Sequence, residues 1–227
     1  MNYYFISYGF TLLAVIITLS AQAFVSGSYN KYSQVKNKKN ISGKEVARYL
    51  LDKNNLREIE IEKVSGYLTD HYDPKNKKLR LSSNIYDGVS IASVAVACHE
   101  CGHAIQDKDN YLFMKIRSSL VPVVNFSSYF GYIAIVLGVL ASSLNVIWIG
   151  IILECVILLF QLVTLPVEID ASKRALKELE KNNYLDNEEL KQGKIMLTSA
   201  ALTYVASVAN TLLQILRLIL LYGRRDD

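Results

Sequence analysis

Hydrophobic and polar residues in this chain are segregated into blocks instead of alternating with a single period. Residues 1–30 carry no charge, and Phe5 to Val25 is a nearly continuous apolar run. A helix needs about 20 such residues to cross the hydrocarbon of a bilayer, so residues 1–29 predict a first transmembrane helix. Residues 118–167 contain one charge, Glu154, in fifty positions. That is too long for one crossing and suits a hairpin of two, with its break near Ser142-Ser143-Leu144-Asn145. Residues 195–223, interrupted only by Arg217, predict a fourth span. Four crossings put both termini on one side and both intervening polar windows on the other. A cleaved signal peptide is the rival for the first run, since Ala21-Gln22-Ala23 has small-residue spacing. The lack of a basic leader and the length of the run favour a retained span.

The first polar window, residues 30–117, shows a different texture. Ser42-Gly43-Lys44-Glu45 has capping-box spacing and precedes Val46, Tyr49, Leu50 and Leu51 at helical intervals, predicting a helix of about three turns. Glu58-Ile59-Glu60-Ile61 alternates as a strand does. Gly66 to Tyr72 and Lys78 to Ser82 predict two further extended segments around a turn at Asp73-Pro74-Lys75-Asn76-Lys77. A helix then runs from Ser90 to about Gln106. The second window, residues 168–194, predicts a polar helix from Glu168 to about Asn182.

Charge follows the same partition. Of the 46 charged residues among 227, 27 lie between Lys31 and Arg117 and 13 between Glu168 and Lys194. With 51% apolar residues overall, this excludes a disordered tail, a collagen-like chain and a disulfide-stapled module. The windows hold 22 of 25 Lys and Arg, so the positive-inside tendency places them in the cytoplasm, with Arg224 and Arg225 weighing the other way. Three cysteines without framework spacing, Cys98, Cys101 and Cys155, suit a reducing compartment. The Lys-rich run Lys31 to Lys39 directly follows a span and reads as a topology anchor facing the lipid bilayer, so nucleic acid is not an expected partner.

Chemistry concentrates at His99-Glu100-Cys101-Gly102-His103, an HExxH pattern on a predicted helix. Histidines four apart share a helical face one turn from each other, which suits a single zinc ion. Glu100 between them can act as general base toward a zinc-bound water, whose pKa falls to about 7. Two of the three histidines fall in this pattern, and Ala92, Ala95 and Val96 on the same face are small enough for another element to approach. Two unmetallated polar histidines are one rival reading, and a Cys98/Cys101 thiol pair another. On a helix those cysteines point away from the histidine face and read as core. A catalytic zinc keeps an open position and needs a third protein ligand. Glu168, after Pro166 at the end of the third predicted span, is the first candidate; Asp107, one turn past His103, is the alternative, and Glu168 as a first-turn helix stabiliser is the bland reading.

These segments also carry a resemblance. Thr69-Asp70-His71-Tyr72-Asp73-Pro74, Leu79-Arg80-Leu81-Ser82, Ser90-Ile91-Ala92, His99 to Gln106 and Leu165-Pro166-Val167-Glu168-Ile169-Asp170-Ala171-Ser172 resemble, in this order, the YugP-type neutral zinc metallopeptidases of bacterial membranes, and more distantly the HtpX and CAAX-prenyl proteases. The resemblance implies zinc held by His99, His103 and Glu168, with Glu100 as base. In the distant relatives an acidic residue follows the third ligand by four positions; here Ser172 stands there and Asp170 comes two after Glu168, making Asp170 a candidate partner of a ligating histidine.

His71 is a candidate oxyanion or substrate-orienting group, or else a turn cap. In zinc peptidases with this element order the edge strand beside the metal helix commonly pairs with substrate backbone, so Gly66 to Tyr72 or Leu79 to Ser82 is the expected peptide-binding edge. Asp87 and Asp107 bracket only about 19 residues around the motif, which places the site at the membrane surface and not inside a span. Within the third span, Glu154 is expected to pair with Asn210 of the last. The expectation is therefore an α-helical multi-pass membrane protein of about four spans with a small α+β zincin-like domain. It would hydrolyse peptide bonds of a peptide or membrane-protein substrate by zinc-activated water. A membrane adaptor with a closed structural zinc site, completed by Cys101 or Asp107, is the alternative, and a domain outside the cell is the rival topology.

Overall fold

The computed structural model describes residues 3–223; Met1 and Asn2 of the first predicted span, and Arg224 and Arg225, lie outside the described residues. The chain is mostly helical, with one three-stranded sheet, and it divides into two compact units.

One unit comprises Ala23–Met114 and Pro166–Leu202. Its helix α2 spans Gly43–Lys53 and starts at the predicted capping box: Ser42 Oγ accepts from Glu45 N at 3.3 Å, and Glu45 Oε2 accepts from Ser42 N at 2.8 Å. The sheet contains β1 (Glu60–Val64), β2 (His71–Asp73) and β3 (Lys78–Ser82) in the order β1-β3-β2. β1 runs parallel to β3 with Ile61 opposite Leu79, and β2 runs antiparallel to it with Tyr72 opposite Leu79.

Two expectations change here. Leu79 to Ser82 is the central strand, with both edges paired, so it offers no free edge. Extended pairing also begins at His71 and not at Gly66, because Gly66 and Leu68 take φ of 118° and 55° and turn the chain. Asp70 then uses its carboxylate in place of backbone, accepting from Ser82 N at 2.7 Å and Ser82 Oγ at 3.1 Å. The turn between β2 and β3 is the expected one, Asp73 Oδ1 accepting from Lys75 N and Asn76 N, both at 3.1 Å.

A short α3 (Ser83–Tyr86) leads to α4 (Ile91–Lys108), which is capped by Ser90 Oγ accepting from Ser93 N at 3.0 Å. α4 lies over α2 and the sheet, and Leu50, Leu51, Ile59, Leu79, Leu81, Ile91 and Val94 fill the space between them. Leu179, from the polar end of a later helix, joins the same core.

The other unit is formed by Lys115–Leu165 with the first part of α1 (Tyr3–Ser33) and the last part of α7 (Asn187–Tyr222). Together α1, α5 (Leu112–Leu140), α6 (Leu144–Lys181) and α7 are four helices long and apolar enough to cross a membrane. The α5–α6 turn falls at the predicted break, with Ser142 at φ 51°. Among the described residues, buried Ile147, Ile151, Ile215 and Leu218 make an internal apolar cluster in this unit, and large side chains such as Phe5 and Leu140 point outward.

The boundaries at 167/168 and 194/195 fall inside helices. α6 runs through Pro166 without a break, and α7 starts at Asn187. Proline inside an apolar spanning helix is tolerated where neighbours satisfy the freed carbonyl. Among the described residues no hydrogen bond joins Glu154 to Asn210, which lines a small cavity with Thr18, Gln22 and Ser207.

Candidate metal centre

α4 presents His99 and His103 on one face, their rings 4.8 Å apart between centroids and nearly perpendicular at 84°. The polar end of α6 brings Glu168 to them. Its Oε2 lies 3.2 Å from His99 Nε2 and 3.5 Å from His103 Nε2, and one ligand atom from each of the three residues falls within 4.8 Å of the others. A tetrahedral ion with bonds of about 2.0–2.2 Å has ligand–ligand edges of about 3.3–3.6 Å, so two imidazole nitrogens and a carboxylate oxygen at these separations fit zinc.

Backbone proximity makes the reach possible. A Cβ added at Gly102 would stand 2.6 Å from the carbonyl oxygen of Ala171, so only glycine lets α6 come this near the motif helix. Glu168 and His103 are buried, and His99 is partly so. Burial alone would disfavour charge on His103, but its hydrogen bond to the Glu168 carboxylate and the nearby charge of Glu100 hold the imidazole above its ordinary value in the metal-free protein.

Behind the histidines lies a set of polar partners. His103 Nδ1 is 2.9 Å from Gln106 Oε1. Gln106 Nε2 donates to the Val167 carbonyl at 2.8 Å and to Asp170 Oδ2 at 2.9 Å. Asp170 also accepts from Arg174 Nε at 2.6 Å, and Arg174 Nη1 reaches Asp109 at 2.5 Å. His99 Nδ1 is 3.1 Å from Ser172 Oγ. Asp170 thus meets His103 through Gln106, and sequence reasoning passed over both Gln106 and Ser172. Their spacing held the signal: Gln106 is three residues past His103 and Ser172 four past Glu168, each on its ligand's helical face.

Glu100 turns toward the sheet, its Oε2 accepting from the backbone N–H of Tyr72 at 3.1 Å. The Tyr72 hydroxyl donates to Asp107 Oδ2 at 2.8 Å, and Lys77 pairs with the same carboxylate. Asp107, the alternative third ligand, is therefore engaged with the β2–β3 hairpin. His71 stands exposed on the opposite side of β2 from buried Tyr72, with Nδ1 2.8 Å from the Thr69 carbonyl and Nε2 3.3 Å from Arg80 Nη1. Cys98 and Cys101 are core residues, as expected from their face; Cys101 Sγ points at the Ala47 carbonyl, and burial pushes both thiols up.

The chain has relatives among known proteins. The family described as "Putative neutral zinc metallopeptidase" matches residues 7–223. A Bacillus subtilis (strain 168) protein named "Putative membrane protease YugP" is 40% identical over 218 residues, covering 96% of this chain and 97% of that protein. No solved structure matches the chain significantly.

Proposed function

We propose that this chain, which belongs to the neutral zinc metallopeptidase family, is a membrane-bound enzyme that hydrolyses peptide bonds at the membrane surface. His99, His103 and Glu168 hold the metal in this reading, and the observation that carries it is the convergence of their three ligand atoms across 69 residues of sequence. Zinc bound there supplies a polarised water with a pKa of about 7 and a Lewis acid for the scissile carbonyl.

The chain's own residues do the rest. Glu100 takes a proton from the attacking water and returns it to the leaving amine. Before substrate arrives, Tyr72 N–H holds that carboxylate, aiming the base from the strand side. β2 is the edge on which a peptide would lie. Tyr72 gives its N–H to Glu100 and not to β3, so its backbone faces away from the sheet, toward the base. His71, held by Thr69 and Arg80, orients that edge without touching the reacting atoms. With Cys101 and Asp107 both engaged elsewhere, the fourth metal position is left to water and substrate, which supports an open site over a closed structural one. The excess of lysine and arginine in the two polar windows supports a cytoplasmic site in this reading.

Purified full-length chain with zinc should cleave peptides from a mixed library, and Glu100→Gln should lower the rate by about 10²- to 10⁴-fold while zinc content is unchanged. Full activity in that variant would sink the mechanism.

A further inference from the structure

We propose that Gln106 is a positioning residue: it decides which nitrogen of His103 faces the metal, and it links that ring to the charge of Asp170. The inference rests on the reading that His99, His103 and Glu168 hold zinc. It begins from the chemistry of an amide, whose oxygen only accepts and whose nitrogen only donates. Gln106 Nε2 lies 2.8 Å from the Val167 carbonyl oxygen and 2.9 Å from Asp170 Oδ2, a carbonyl and a carboxylate. Turning the amide over would set its oxygen against both. Gln106 Oε1 therefore faces His103 Nδ1 at 2.9 Å, and Nδ1 must carry the hydrogen. The tautomer so selected leaves the lone pair on Nε2, the atom 3.5 Å from Glu168 Oε2.

Two features make this selection firm. Gln106 is fully buried at 0% exposure, so water does not compete for the amide. Asp170 is held in turn by Arg174, which also grips Asp109 beyond the end of α4, so the acceptor that orients the amide is itself fixed. His99 has no equivalent device. Its Nδ1 partner is the Ser172 hydroxyl, which can donate or accept and so selects no tautomer. The two histidines are thereby unequal: His103 is set before metal arrives, and His99 is set by the metal.

The test uses full-length chain in detergent. Zinc affinity is read by competition with a chromophoric chelator at one pH, and ligand geometry by the visible spectrum of the cobalt(II)-loaded protein, with circular dichroism recorded for each variant. Gln106→Met, which keeps volume and leaves Nδ1 without an acceptor, should weaken zinc about 10- to 100-fold and shift the cobalt spectrum. Ser172→Ala should weaken it less. Gln106→Glu sets a carboxylate against both Asp170 and the Val167 carbonyl and should also bind zinc poorly, whereas adding Asp170→Asn restores a donor between the two side chains, leaves only the Val167 carbonyl opposed, and should recover part of the affinity.

Should Gln106→Met not fold, the comparison of the single and double variants carries the test. Native affinity and an unshifted spectrum in Gln106→Met, or a double variant no better than Gln106→Glu, would overturn the inference while leaving the zinc reading intact. Failure of the unaltered chain to bind stoichiometric zinc would overturn both.

Discussion

In the unit that brings His99, His103 and Glu168 together, Leu50, Leu51, Leu79 and Leu81 are at most 1% exposed; in the apolar unit, Leu12, Leu137 and Leu140 are 62%, 54% and 78% exposed. The same side chain faces inward in one and outward in the other because the two units answer to different solvents. Around the sheet and α4, removing leucine from water is the main stabilising term, worth roughly 1.5–3 kcal/mol per side chain. Among the long helices lipid is as apolar as leucine, so association depends on close packing. Gly150 illustrates that packing, since a Cβ there would meet Ile135 Cγ1 at 2.5 Å. A centre that must keep Glu168 and Gln106 dry and fixed belongs with the first kind of core, and that is where the chain puts it.

The contrast breaks most sharply by truncation. Leu79→Ala should cost about 2–5 kcal/mol of the site unit's stability, through lost burial and the cavity left between the sheet and α4. Leu140→Ala should change stability by less than about 0.5 kcal/mol in denaturant titrations of the detergent-solubilised chain. Equal effects at the two positions would contradict two solvents.

A smaller effect sharpens it through pH. His103 is raised in the metal-free fold, so its contribution to stability is present below the unfolded value near 6.5 and is lost as pH rises through the folded value. Zinc requires the neutral ring, so its stabilisation grows in the same direction. Melting temperatures of zinc-free and zinc-loaded protein should diverge between about pH 6 and pH 8, and a gap that narrows would contradict the assignment of His103 as a ligand.

What could be read from the sequence divides along the same line. The spans were legible from composition alone, because a lipid-facing helix needs no periodicity, only length without charge. The shared face of His99 and His103 was legible because a helix fixes their spacing, and the approach of Glu168 to them because a carboxylate stands where an apolar run ends. Long-range pairing was not legible. β3 sits between β1 and β2 because β1 reaches it in parallel, a choice that alternation within Glu58 to Ile61 does not encode. Pro166 read as the end of a span, since proline ends most helices in water, yet α6 carries it through and so presents Glu168, Ala171 and Ser172 on one continuous face. Asp170 was found without its route, because the intermediary Gln106 belongs to a different helix.

The central claim, that His99, His103 and Glu168 together hold one zinc ion, is tested most directly by X-ray absorption at the zinc edge on the stoichiometrically loaded full-length chain. Two imidazole nitrogens are expected at about 2.0–2.1 Å and carboxylate and water oxygens at about 2.0–2.2 Å, with the oxygen shell altered in Glu168→Ala. Sulfur at about 2.3 Å, as Cys98 or Cys101 would give, or an unchanged shell in that variant, would contradict it.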